Sequence, residues 1–196
     1  GFLEIPNLAA FMAGMNAVSA LLTLIKPEFP AQLVLEPLLL RSGQVWRALT
    51  FVFVPPELSP LWLFFWLILY FSYLNSLERA WGDFKLTLYV LIGALATAAA
   101  SLATSLPLGS GAFVTSLFLA FAKNYPETQI LLFFVIPIKM KWLGAAVWFM
   151  TAWALLFGGF DERVALGAGL LNYALYFGPE HLSELKRLWR RHRYRP

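Results

Sequence analysis

The chain has no cysteine and only two histidines among 196 residues, and 13% of it is charged against about 25% for a soluble domain. Zero cysteines exclude disulfides, thiolate metal sites and a cysteine nucleophile, while leaving the compartment open. Both histidines, His181 and His192, lie in the last sixteen residues. The apolar body of the chain therefore lacks the side chain that most often serves as general base or metal ligand. No basic n-region with a small-residue cleavage site precedes the first apolar run, so no cleaved signal peptide is expected.

What takes the place of charge is apolar. Sixty per cent of residues are hydrophobic and 17% aromatic, and the mean hydropathy is +0.67. This is the composition of a polytopic membrane protein. A bilayer core takes about 20 residues per helix, so six spans nearly exhaust the length and leave no room for a soluble domain. Charge-free runs predict spans over Leu8–Ile25, Leu58–Leu77, Leu86–Thr104, Ser110–Ala122, Leu143–Phe160 and Val164–Phe177. The stretch Leu86–Ala122 carries no charge and is too long for one span; Pro107-Leu-Gly-Ser-Gly111 supplies the break. The fourth span is short and rich in small residues, which suggests a helix enclosed by its neighbours. Gln129–Ile138 is apolar but too short to cross and is expected at the interface. Gly167 and Gly169 in the sixth span favour close helix packing.

With an even number of spans both termini share one side. Arg79, Lys85, Lys123, Lys139, Lys141, Lys186, Arg187, Arg190, Arg191, Arg193 and Arg195 fall on it, eleven of the fifteen basic residues; Lys26, Arg41, Arg47 and Arg163 fall opposite. That bias predicts cytoplasmic termini. The net charge of +4 is thus a topology signal and not a nucleic-acid footprint. Residues 1–179 are expected to form one membrane domain and 180–196 a basic cytoplasmic tail. Leu182, Leu185, Leu188 and Trp189 at helical spacing suit an amphipathic segment on anionic lipid, and a disordered stop-transfer tail fits equally.

Specific motifs sharpen the picture. Gly43-Gln-Val-Trp46-Arg47-Ala-Leu-Thr50 resembles the first-loop signature of rhomboids and derlins, centred on a Trp-Arg pair. Leu77-Glu78-Arg-Ala-Trp-Gly82-Asp-Phe-Lys85, followed by Tyr89, is similar to the rhomboid segment that ends the second helix and opens the third. Ser110-Gly111, an apolar helix up to Tyr125-Pro126, and Ile136-Pro-Ile138 resemble the stretch around and beyond the rhomboid nucleophile. The resemblance to the rhomboid superfamily covers about Ala9 to Phe177. It implies an all-α six-transmembrane-helix bundle with an amphipathic first loop and a short central fourth helix.

The residues have a physical reading of their own. Trp46 suits an interfacial anchor, and the Arg47 fork can satisfy several carbonyls or a lipid phosphate. Glu78 at a helix end needs a donor, either Arg79, Lys85 or free N–H groups of the next helix, and reads as a structural clamp with Gly82 beside it. Asp161, Glu162 and Arg163 read as a solvated turn.

An active rhomboid resembles a Ser-His dyad, built from Gly-x-Ser-Gly at the start of the fourth helix and a histidine in the sixth. Here Leu108-Gly109-Ser110-Gly111 keeps the serine and the glycine after it but has Leu in place of the first glycine. The sixth span offers apolar residues, Asn172 and Tyr173, none basic enough to deprotonate a serine. Lys123, Lys139 and Lys141 are expected on the cytoplasmic face, away from the family's chamber. The His and Asn that help hold the oxyanion in active bacterial rhomboids are also missing, since Pro55-Pro-Glu-Leu-Ser-Pro60 has neither and Asn75 lies near the other end of its span. Ser110 then reads as a cap for the short fourth helix.

The resemblance therefore implies a derlin-like pseudoprotease. Such a protein binds transmembrane clients laterally, perturbs the local bilayer and serves membrane-protein quality control, without cofactor or metal, at a bacterial inner membrane. An atypical protease using Ser110 is the alternative. A transporter is disfavoured by the absence of an intramembrane ionisable residue or inverted repeat.

Overall fold

The computed structural model describes residues 5–56, 59–132, 136–180 and 183, with the side chains of 131–136 left aside. The basic tail, both histidines and Glu57-Leu58 lie outside the described residues. The chain folds as a helical bundle. Helices α1 (Leu8–Ile25), α4 (Pro60–Trp81), α5 (Asp83–Thr104) and α7 (Met140–Phe157) are each long and apolar enough to cross a membrane. The predicted fourth and sixth spans fall short of that measure. Helix α6 (Gly111–Asn124) has 14 residues, and the sixth is broken at Leu170 into α8 (Phe160–Gly169) and α9 (171–180).

Helix ends differ from the charge-based expectation for one reason: charge ends an apolar run but does not by itself end a helix. α4 therefore runs past Leu77 through Glu78 and Arg79, and α5 begins at Asp83. Between them stands Gly82 alone, at φ 80° and ψ 160°, a conformation that favours glycine. Asp161 and Glu162 likewise form the first turn of α8 instead of a solvated loop, where the helix dipole favours carboxylates. Arg163 donates to the Leu156 carbonyl at 2.8 Å, so the α7–α8 turn shrinks to Gly158-Gly159.

The run Gln129–Ile138 is an antiparallel hairpin, which the all-α expectation did not include. Strand β1 (Gln129–Leu132) pairs with β2 (Ile136–Lys139), with Gln129 opposite Lys139 and Ile130 opposite Ile138. Glu127 secures its base through Lys139 and Lys141, each at 2.7 Å, and the two ammonium groups hold its carboxyl down to about 2.

The first loop is mostly ordered backbone: a 3-10 turn at Phe29–Gln32, α2 (Pro37–Arg41), α3 (Arg47–Thr50) and a second 3-10 turn at Phe51–Phe53. In the bundle, α1 packs on α4, α4 on α5 and α6, and α6 on α7 and α8. Helix α6 is the central element, with Phe113, Leu117 and Ala120 fully buried. Lipid supplies no hydrophobic drive for these contacts, so close backbone approach matters. Gly144 meets Ala122 and Gly169 meets Ala112, where an added Cβ would lie 2.9 and 2.6 Å from the facing methyl groups.

Candidate functional site

Arg47 organises the first loop. Its side chain is buried; Nε donates to Gln44 Oε1 at 2.8 Å and Nη1 to the carbonyls of Ala31 at 2.7 Å and Val34 at 2.9 Å. One rigid fork thus ties the first 3-10 turn and the residues just after it to α3. Thr50 adds a bond to the Leu33 carbonyl at 3.2 Å. The loop is two-faced: Leu35, Leu40, Phe51 and Val52 are buried, while Leu38, Val45, Trp46 and Leu49 are exposed. Trp46, half exposed, belongs to that outer apolar face.

The same loop is fastened to the bundle. Arg41 donates to the Leu102 carbonyl, one of the free carbonyls at the end of α5, and to Ser105 Oγ. Leu35 forms an isolated antiparallel bridge with Leu108. Asn16, fully buried on α1, donates from Nδ2 to Met12 O at 2.9 Å and to Val52 O at 3.3 Å. Ser110 Oγ donates to Val54 O at 2.7 Å.

That bond corrects the capping expectation. Ser110 occupies the N-cap position of α6 but makes no side-chain cap bond, because its hydroxyl is turned toward the loop. Its partner has no appreciable basicity at neutral pH, so the bond orients the hydroxyl without activating it. Gly109 and Gly111, on either side, are exposed with open space around them. Lys123 is thirteen residues along α6, about 20 Å from Ser110 at 1.5 Å per residue, and ion-pairs with Glu180 at 3.6 Å.

In the sixth-span region, Asn172 is buried and committed. Its Nδ2 donates to Tyr89 O at 3.3 Å, and its Oδ1 accepts from Tyr173 N at 2.9 Å. The amide sits against Gly93 of α5, where an added Cβ would lie 2.5 Å from Nδ2. Sequence reasoning passed over Asn16, and weighed Asn172 only as a possible base and not as a cross-helix hydrogen-bond donor. Their signal was a lone amide in an apolar helix, which hydrogen-bonds across helices.

Glu78 accepts from Ala9 N at 3.4 Å, so its donor is the open N-terminus of α1, and neither Arg79, Lys85 nor the next helix supplies it. Gly82 ends α4 next to it. Of the two glycines expected to pack, Gly169 is buried against α6, whereas Gly167 is exposed with nothing within 4 Å of an added Cβ. They are two residues apart, about 200° around a helix, so one contact face accommodates only one of them. Among the described residues no group of three His, Asp or Glu side chains stands ready to hold a metal ion.

Helices α4 and α7 each pack on α6, and among the described residues neither packs along the other. Helix α6 thus carries α4 and α7 as separate neighbours. Helix α7 buries only the narrow stripe Met140, Gly144 and Thr151, leaving Trp148, Phe149, Met150 and Trp153 exposed.

The geometry is that of a serine whose hydroxyl is bonded to a loop carbonyl, with no basic partner among the described residues, next to a loop fixed by Arg47. A comparison with curated proteins returns no match. The Der1-like family model matches residues 5–182, nearly the whole chain, and the protein belongs to that family, the derlins of the rhomboid-like superfamily, whose members are generally catalytically inactive.

Proposed function

We propose that this chain is a catalytically inactive rhomboid-like protein that receives transmembrane client segments laterally, over α6 between α4 and α7, for membrane-protein quality control. The observation that carries the reading is the packing of α4 and α7 on α6 and not on each other. A helix entering from lipid meets exposed apolar and aromatic side chains there, among them Leu69 of α4 and Phe149 and Met150 of α7. Six membrane-crossing segments, with α6 as the fourth and α8–α9 as the sixth, form one domain over 1–179, with the tail and both termini cytoplasmic and the bacterial inner membrane as its setting. Trp46, Arg47, Glu78 and Gly82 act as architecture.

The second element is bilayer perturbation. Helix α6 spans about 21 Å at 1.5 Å per residue, against a hydrocarbon core of about 30 Å. Mismatch costs fractions of a kcal/mol per Å, enough to draw in marginally hydrophobic helices.

The absence of native cysteine makes the test clean, because a single introduced thiol reports alone. Leu69 is exposed on α4, three residues after Trp66 and four before Tyr73, whose ring contacts Phe118 and Phe121 of α6. Leu69→Cys should cross-link a co-expressed membrane-protein segment, whereas Val18→Cys, exposed on α1, should not. Equal capture at both positions, or capture no greater than by an unrelated six-span protein, would overturn the reading.

A further inference from the structure

A cleft of about 500 Å³ opens at the C-terminal end of α1, lined by Ile25, Lys26, Pro27, Glu28, Phe29 and Gln32. Its depth follows from the helix below it. Leu8–Ile25 carries no charge over 18 residues, about 27 Å at 1.5 Å per residue, so Lys26 stands where hydrocarbon gives way to headgroups. Leu21, Leu24 and Ile25, one face of α1 at i, i+3 and i+4, are 60%, 59% and 75% exposed and lead up to the cleft.

The charges in the cleft are uncommitted. Among the described residues neither Lys26 Nζ nor the Glu28 carboxylate has a hydrogen-bond or ion-pair partner. The end of α1 has no basic residue in its last turn and contributes the negative partial charge of a helix C-terminus. A cation, an anion, an amide and an aromatic ring therefore surround one space at headgroup depth.

We propose that this cleft binds the headgroup of a phospholipid carrying a primary ammonium, as phosphatidylethanolamine does. Lys26 meets the phosphate, Glu28 and the Gln32 carbonyl accept from the ammonium, and Phe29 offers its ring face to the same cation. The acyl chains lie along Leu21, Leu24 and Ile25. Glu28 repels a headgroup with net negative charge, and a choline headgroup has no N–H to donate, so charge and hydrogen bonding select the same lipid class.

Native mass spectrometry of the full chain in detergent, with phosphatidylethanolamine, phosphatidylcholine and phosphatidylglycerol of matched acyl chains, tests the site. The ethanolamine lipid should be retained at least about tenfold over the other two, the ratio given by one charge-assisted hydrogen bond. Glu28→Gln should bring it down to the choline level, and Lys26→Gln should weaken both. Both side chains are exposed, so the fold should be unaffected, and a thermal melt checks this. Ethanolamine lipid retained no better than either competitor, or retained unchanged by Glu28→Gln, overturns the assignment.

Discussion

Ser110 Oγ donates to the Val54 carbonyl at 2.7 Å, joining the start of α6 to the end of the first loop across 56 residues. Ser110→Ala should remove the bond to that half-buried carbonyl, costing about 0.5–1.5 kcal/mol. A drop in melting temperature in detergent, with wild type unlabelled by a fluorophosphonate probe, is the expected pair of results. Labelling of wild type that Ser110→Ala abolishes would instead restore the protease alternative.

Arg47 serves three acceptors in one geometry, so Arg47→Ala should cost more than about 3 kcal/mol. Arg47→Lys should recover little, since an ammonium cannot reproduce the fork. Limited proteolysis is the direct readout: cleavage within 29–54 should accelerate in both variants.

Gly169 and Gly167 form an internal contrast. Gly169→Ala drives a methyl group into Ala112 and the backbone of Phe113 and should cost about 1–3 kcal/mol, the range for overpacking. Gly167→Ala meets open space and should be neutral or stabilising by up to about 1 kcal/mol through helix propensity. Melting curves of the two variants should move in opposite directions or differ by that margin.

Glu127 carries the pH dependence. Its carboxyl is lowered from 4.5 to about 2 by Lys139 and Lys141, so its contribution is present above pH 4.5 and is lost as pH falls through 2. The groups are exposed and screened, so the effect is small and local to the hairpin. Amide exchange of Gln129–Leu132 should be faster in Glu127→Gln than in wild type at pH 7, and the difference should close toward pH 2.

Spans were legible wherever charge bounded an apolar run, as at Ile25 and Lys26, and the break after Thr104 was legible from Pro107 and the glycines beyond it. Helix ends carrying charge, such as Glu78-Arg79 and Asp161-Glu162, were not, because charge does not by itself stop a helix. The hairpin was hidden because an apolar run of ten residues has no period that separates a strand pair from an interfacial coil. In the candidate site, the sequence held the residue types but not their partners. Glu78 finds its donor 69 residues away and Ser110 its acceptor 56 away, distances over which only tertiary packing decides.

The single-residue joint at Gly82 turns α5 back against α4, so the two helices and their packing set the position of the far end of α5 together. Helix α5 is about 33 Å long at 1.5 Å per residue, so a 5° swing about Gly82 carries its far end through roughly 3 Å. Arg41 is hooked to that far end at the Leu102 carbonyl, and α2 and α3 lie against the same helix. The first loop is thus levered from the opposite end of the bundle: a small rotation at Gly82 would become a displacement about as long as a hydrogen bond where the loop meets Ser110.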